Sequence, residues 1–444
     1  MKKQSLSALA AAGLLAGGMS VTSASAADLG GNCCADLEER IAELEATTAR
    51  KGNRKVSLTV SGWVGQQIMA WDDGFESNTY VGDLGTTLAS HVKFTGQATI
   101  VPGWTAGYVL HLEMSNNDSL ALNQNYQEAG LVGGWTKVTP LQSYWFIKSE
   151  SLGKIGVGRQ SQASDNTAIL VDGSGSLVPA NWVAFDVASF QMREAGTGLN
   201  AGSWGAVGLC TGGGAWGDCN GNTQNVVRYD TPTFAGFSAS ASWGEDDMWD
   251  VALRYAGEFS GFKFAAAAAY NEITGGGFPN WHGAGAAVAP QTQYFQVGAY
   301  LQHVPTGLFV YGAYGNNQLD FGPDTAVPGA SYEADQYYIK AGVRQRWTPL
   351  GHTVLYGEYN NVQGDGGTAV SAPTGVNDLN TAVSVGAGLS DELEVWGVGV
   401  VQEIDNAAMS LWLSYRHLSY DHNNAAVGQI EDFDYIKAGA LINF

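Results

Sequence analysis

From about residue 56 to Phe444 the chain repeats one unit: a segment of roughly ten residues whose polarity alternates, then a break that is alternately short and long. In the first segment Val56, Leu58, Val60 and Val64 share one face, and Ser57, Thr59 and Ser61 take the other. In the next, Val92, Phe94, Ala98 and Ile100 oppose His91, Lys93, Thr95, Gln97 and Thr99. A period of two is the signature of a strand with one greasy and one wet face. Followed to the end, the rhythm predicts strands near 56–70, 88–101, 103–114, 141–151, 153–160, 224–231, 235–244, 248–259, 261–272, 293–304, 306–315, 335–347, 352–361, 393–404, 407–419 and 433–444. That is about sixteen, an even number within the range of transmembrane barrels.

The breaks carry as much information as the strands. Val101-Pro102-Gly103, Ser151-Leu152-Gly153, Phe259-Ser260-Gly261, Pro305-Thr306-Gly307 and Pro349-Leu350-Gly351 are tight turns, where Gly supplies unusual backbone angles and Pro pre-sets the bend. Between them lie long connections at 71–87, 115–140, 161–223, 273–292, 316–334, 362–392 and 420–432, with 245–247 the brief exception. Short turns at one end and long loops at the other are the asymmetry of outer-membrane barrels. Aromatic residues near segment ends, Trp63, Trp104, Tyr108, Trp145, Trp243, Trp249, Tyr311, Trp347, Trp396 and Trp412, suit girdles at the two lipid–water boundaries. Past the N-terminus there is no apolar run of about 18 residues or more, so a membrane crossing requires a closed barrel. The fold class expected is all-β: a 16-stranded antiparallel transmembrane β-barrel over 55–444 with a short helical segment before it.

Residues 1–27 read as a secretory signal peptide. Lys2 and Lys3 precede the apolar stretch Leu6 to Met19, and Ser23-Ala24-Ser25-Ala26-Ala27 supplies the small residues of a cleavage site. Its loss removes two lysines and no acid, leaving 19 basic against 42 acidic residues. Such a balance argues against nucleic acid, whose phosphates demand a basic surface. Sixty glycines, 14 Trp, 19 Tyr and 16 Phe beside 11 prolines favour aromatic-rich strands over helix. In the last strand Ile436, Ala438, Ala440, Ile442 and Phe444 alternate with Tyr435, Lys437, Gly439 and Asn443. That pattern resembles the signal that barrel-insertion machinery reads, with Phe444 as its terminal aromatic.

The segment Asp28 to Glu45, the first strand Lys55 to Gly62, Val157-Gly158-Arg159 before the longest loop, and Val227-Arg228-Tyr229-Asp230-Thr231-Pro232 are similar to the general porins of alphaproteobacteria such as rhizobia. The resemblance spans nearly the whole mature chain. It implies a homotrimeric, sixteen-stranded channel in outer-membrane lipid and lipopolysaccharide for passive diffusion of small hydrophilic solutes and ions, with no cofactor. It also implies that the third external loop, here 161–223, folds inward and sets carboxylates against wall cations. The loop supplies Asp165, Asp172, Asp186 and Glu194, with Asp218. Arg159 is carried over from the family as a wall cation, although it shares the parity of Ile155 and Val157, which face lipid; a bulge re-aims it or it stands above the membrane plane.

Parity gives an independent set of wall cations. Arg254 sits between Leu253 and Tyr255, and Lys340 and Arg344 alternate with Ile339, Ala341 and Val343, so all three point inward. Lys93, His111 and Arg228 follow by the same count. Net acidity suggests cation preference, although much of the acid, including Asp72, Asp73, Glu76, Glu245, Asp246 and Asp247, lies in external loops.

Within the segment 28–54, Leu37, Ile41, Leu44 and Thr48 form a heptad-like stripe of under two repeats, suited to packing with copies of itself. Cys210 and Cys219 flank a glycine-rich stretch and are placed to close it as a disulfide, whereas adjacent Cys33 and Cys34 are too close for an unstrained bridge. Seven scattered histidines, no Gly-x-Ser-x-Gly elbow and no metal-ligand spacing leave a barrel enzyme as the weaker alternative. A non-conducting barrel serving as an adhesin or receptor is the other alternative.

Overall fold

A computed structural model describes residues 55–85, 87–115, 117–125, 137–180, 186–209, 218–219, 221, 223–244, 247–274, 291–323, 327–375 and 383–444. The expected signal peptide, the heptad-like stripe, Cys33, Cys34 and Cys210 lie outside these residues. The strands are β1 (Thr59–Asp72), β2 (Ser77–Gly82), β3 (Ser90–Val101), β4 (Trp104–Ser115), β5 (Lys137–Ser149), β6 (Gly153–Ser161), β7 (Gln191–Arg193), β8 (Asn200–Ser203), β9 (Thr223–Asp230) and β10 (Phe237–Gly244). They continue as β11 (Trp249–Phe259), β12 (Phe262–Ile273), β13 (Gln291–His303), β14 (Leu308–Asp320), β15 (Ser331–Thr348), β16 (Gly351–Thr368), β17 (Val370–Thr374), β18 (Ser384–Ile404), β19 (Met409–His422) and β20 (Phe433–Asn443). All except β2, β7, β8 and β17 form one closed antiparallel barrel of 16 strands. Closure runs from Trp63↔Asn443 to Asp72↔Asp434, and the backbones of Gly62 and Phe444 exchange hydrogen bonds of 3.0 and 3.1 Å.

Alternation decides the two faces. Val60, Val64 and Ile68 on β1 are exposed on the outer surface, while Trp63, Gln67 and Met69 are buried inside. The same holds around the barrel: Ile155, Val251, Leu253, Ile339, Leu355, Val398, Leu413, Ile436 and Ile442 all stand exposed. So broad an apolar band is untenable in water and natural in lipid. Closure satisfies each strand's backbone groups on both sides, which hydrocarbon demands. Of the expected girdle aromatics, Trp104, Trp145, Trp243, Trp249, Trp347 and Trp396 are exposed outward. Trp63, Tyr311 and Trp412 are not girdle residues: their parity turns them inward, where they are buried.

The short connections follow the glycines. Ser260 (φ 48°) and Gly261 (φ 82°) are consecutive left-handed residues joining Phe259 to Phe262, the mirror-image turn that matches the twist of a tight hairpin. On the other side the strands outrun the expectation. β16 extends to Thr368 and β18 begins at Ser384, through glycine- and acid-rich sequence that reads as loop. Tertiary packing overrides that local preference: Tyr332 lies within van der Waals reach of Gly364 and Gly367, and Asp391 accepts from Tyr420 at 2.6 Å and from the Ala369 amide at 2.9 Å. Four further strands belong to the loops. β2 folds back on the top of β1, and β7, β8 and β17 form a small sheet joining the third and seventh external connections.

Candidate functional site: the lumen and its long third loop

The connection between β6 and β9 turns into the barrel and is tied down at successive points. At its start the Ala163 amide donates to Ser242 at 3.0 Å and the Ser164 amide to Asp250 at 2.6 Å. Arg254 donates to the Ala163 carbonyl at 2.6 Å and Thr167 at 2.8 Å, and Arg228 to the Ser161 and Gln162 carbonyls at 2.9 and 3.1 Å. Gln296 accepts from the Ala168 amide at 2.9 Å, and Tyr311 donates to the Ala168 carbonyl at 2.8 Å. Gly298 permits this approach, since a Cβ there would lie 2.4 Å from the Ala168 oxygen.

Further along, Asp172 meets Lys340 at 2.5 Å, and the same ammonium reaches the Ala180 carbonyl at 3.1 Å. Gly175 lies over the pair formed by Arg344 and Glu403, which is bidentate, Nε to Oε1 at 3.0 Å and Nη2 to Oε2 at 2.8 Å. Asp186 then reaches the closing strands β20 and β1. It pairs with Lys437, accepts from Gln67 at 2.6 Å and is touched by Tyr435 at 3.3 Å. Beyond it, Phe190, Met192, Trp204, Val207 and Leu209 enter a dry cluster with Trp71, Tyr332, Leu393, Leu418 and Phe433 in the external half of the barrel. Arg193 fastens this part to the first loop through Asp73 at 3.0 Å and Glu76 at 2.5 Å.

The expected constriction residues therefore part company. Asp172 and Asp186 are pins, each consumed by a wall lysine. Asp165 and Asp218 form a carboxyl pair; desolvation pushes both up, Asp218 well above its usual range, with Asp165 as the second cause. Glu194 does not face a wall cation. It accepts from Thr197 and from the Gly428 amide at 2.6 Å each, joining the third loop to the last. Arg228, Arg254, Lys340 and Arg344 all point inward, and all hold protein groups. Arg159 is exposed on the outer face: its register is regular, Ser143↔Arg159 and Arg159↔Asn225, so no bulge re-aims it, and buried Gln160 takes the inward position. Cys219 is disulfide-bonded and buried.

Several inward charges escaped the sequence reading: Lys148, Lys154, Glu358, Glu403, Arg416 and Lys437. The parity rule that found Lys340 also points to Lys437, which alternates with Ile436 and Ala438. Arg416 and Glu358 form a buried pair at 2.7 Å.

Exposure divides the lumen in two. On β15 to β20 the inward side chains Tyr338, Lys340, Val354, Tyr356, Glu358, Val401, Trp412, Ser414, Arg416 and Lys437 are all buried. On β3 to β6 and β9, inward Lys93, Thr95, Thr105, Gln142, Phe146, Lys148, Lys154, Arg228 and Asp230 keep part of their surface. The loop packs closely against β15 to β20 and less completely against β3 to β6 and β9, where inward His91, His111, Glu113, Tyr144 and Gln160 are nonetheless buried. No group of three metal-ligating side chains converges among the described residues.

A family model described as Gram-negative porin matches residues 7–390. No curated protein matches the chain. Among solved structures, it is similar to an anion-selective porin from Comamonas acidovorans, with 14% identity over 88% of this chain and 100% of that one and a TM-score of 0.54. It is also similar to Salmonella typhi OmpF in complex with daunomycin, with 14% identity, 88% and 98% coverage and a TM-score of 0.51. For the trimer form of in-vitro folded OmpT, an outer membrane protein of Vibrio cholerae, the identity is 13%, the coverage 88% and 99%, and the TM-score 0.50. At such identities the likeness is one of fold.

Proposed function

Because the chain belongs to the Gram-negative porin family and is an outer-membrane channel, we propose that small hydrophilic solutes cross it by passive diffusion along one side of the barrel, between the third loop and the wall of β3 to β6 and β9. The observation that carries this route is the partial exposure of inward Lys93, Lys148, Lys154 and Arg228 against the burial of their counterparts on β15 to β20. A solute entering from outside meets the dry cluster over the far half and is diverted to the polar side. The loop narrows the bore by occupying volume. Its acids Asp172 and Asp186 contribute by fixing its position, while Arg228 and Arg254 set its entry.

Liposome swelling tests the route. Folded protein reconstituted in vesicles is expected to admit small sugars at rates that fall steeply with solute size. Absence of swelling with a folded barrel overturns the proposal and favours a plugged receptor or adhesin.

We further place the chain among the general porins of alphaproteobacteria, on the motifs around Arg159 and Arg228. It is exported through its N-terminal signal and delivered by insertion machinery that reads the outward row Ile436, Ala438, Ala440, Ile442 and Phe444. Acidic external residues suit divalent bridging to lipopolysaccharide phosphates. A homotrimer is the assembly we take, by analogy with the trimer form of the Vibrio cholerae protein.

A further inference from the structure

Charge is distributed unequally around the inner wall. On β15 to β20 each inward cation meets its own carboxylate: Lys340 with Asp172, Arg344 with Glu403, Arg416 with Glu358 and Lys437 with Asp186. These pairs are removed from water and leave no net field. On the wet wall the ion-pairing acid among the described residues is half-buried Asp230, 3.0 Å from Lys154 and 2.8 Å from Arg228, while buried Asp165 and Asp250 are within electrostatic reach of Arg228 alone in the set Lys93, Lys148, Lys154 and Arg228. Lys93 and Lys148 form no ion pair among the described residues.

The cations are neighbours. Lys148 pairs directly with Lys154 across the β5–β6 ladder, and Lys154 is in turn level with Asp230 on β9. Lys93 is within electrostatic reach of Lys154, and Lys154 of Arg228. Other acids near this wall are buried and held by hydrogen bonds. Asp250 accepts from Ser242 and the Ser164 amide, Glu113 from the Ala89 amide, Asp165 from the Asn166 side chain, and Asp218 from the Asn166 amide and the Gln296 side chain. A narrow passage with low-dielectric walls focuses such an excess of one sign.

A second observation marks a point on the path. His111 is the cross-strand partner of Lys93, faces inward and is 6% exposed, yet neither of its ring nitrogens has a hydrogen-bond partner. It packs edge-on to His91 with ring centroids 4.1 Å apart. The protein satisfies neither ring nitrogen, so this imidazole, beside an ammonium without an ion pair among the described residues, is left to water or to a solute in the bore.

We propose that this channel passes small anions, such as chloride, phosphate and short carboxylates, in preference to cations, and that Lys93 with His111 holds them midway while Lys148, Lys154 and Arg228 line the periplasmic approach. The proposal rests on the diffusion route above and names the solutes that use it. It reverses the cation preference that the bulk acidity of the chain suggests, because the acids of the external loops and of the buried pairs do not face the path.

The test is reversal potential across planar bilayers in a potassium chloride gradient, with full-length protein, alongside K93Q and the double variant K148Q/K154Q. Chloride is expected to be several-fold more permeant than potassium in the wild type. Each variant is expected to lose most of that preference, with folding checked by heat-modifiable migration. Inorganic phosphate on one side is expected to depress chloride current in the wild type and less so in K93Q. Potassium as the more permeant ion, or a ratio unmoved in both variants, overturns the anion proposal while leaving the channel intact. Folded protein with no conductance overturns the diffusion route itself.

Discussion

The Lys340 ammonium meets Oδ2 of Asp172 at 2.5 Å with neither side chain exposed to solvent, so the third loop is fastened to β15 by an ion pair taken wholly out of water. Such a pair is weak evidence for overall stability, because desolvation offsets most of its attraction, but breaking it from one side is costly. The K340M variant leaves Asp172 as an uncompensated buried charge and is expected to cost about 3–5 kcal/mol locally. The loop is the part free to yield, so single-channel recordings should show higher and noisier conductance. Joint replacement, K340M with D172L, is expected to recover a quiet trace.

Gly175 gives a second test of how tightly the loop is seated. Its φ of 83° is left-handed, and a Cβ there would fall 2.6 Å from Oε1 of Glu403 and 3.1 Å from Nε of Arg344. The G175A substitution is therefore expected to cost roughly 1–2 kcal/mol from backbone strain alone, with added displacement of the Arg344 pair. The midpoint of heat-modifiable unfolding on gels should fall, and conductance should rise as the loop is lifted from β15 and β18.

Outside the membrane, Glu194 ties the third loop to the last. Hydrogen bonds from Thr197 and the Gly428 amide hold its carboxyl below its ordinary value. A depressed acid contributes stability above its unfolded pKa and loses that contribution as pH falls through the folded value. Protection of the Gly428 amide, measured against its intrinsic exchange rate, should accordingly fall as pH drops below the ordinary carboxylate range. The E194Q variant should exchange faster at neutral pH and show a flatter dependence on acid.

Arg159 and Arg254 offer a contrast between an outer and an inner arginine. Arg159 is exposed on the outer face, so R159Q is expected to leave reversal potential unchanged. Arg254 grips the loop through Ala163 and Thr167, so R254Q is expected to loosen its entry and raise the sugar permeation rate in swelling assays. An unaltered size cut-off in R254Q would show that the remaining contacts of Gln296 and Tyr311 suffice.

The barrel was legible because its determinants are local: polarity with a period of two, and glycine at turns such as Ser260-Gly261. The inward course of Arg228, Arg254, Lys340 and Arg344 followed from the same count. What those side chains meet was not legible. Whether Asp172 faces the bore or Lys340 depends on a loop path settled by contacts more than a hundred residues apart, and no spacing along the chain encodes it. Arg159 shows the converse: its parity pointed outward, and that local signal outweighed the motif. The extensions of β16 and β18 escaped notice because glycines at 364, 366 and 367 look like loop until Tyr332 is packed over them.

Asp186 touches Gln67 on the first strand and both Tyr435 and Lys437 on the last. One carboxylate thus straddles the joint at which the cylinder zips shut. Before β20 arrives, Asp186 has no lysine, and before the loop arrives, Lys437 has no acid. The seated loop and the closed joint therefore support one another, since a cylinder closed without the loop would lack the acid that ties its first and last strands together from within.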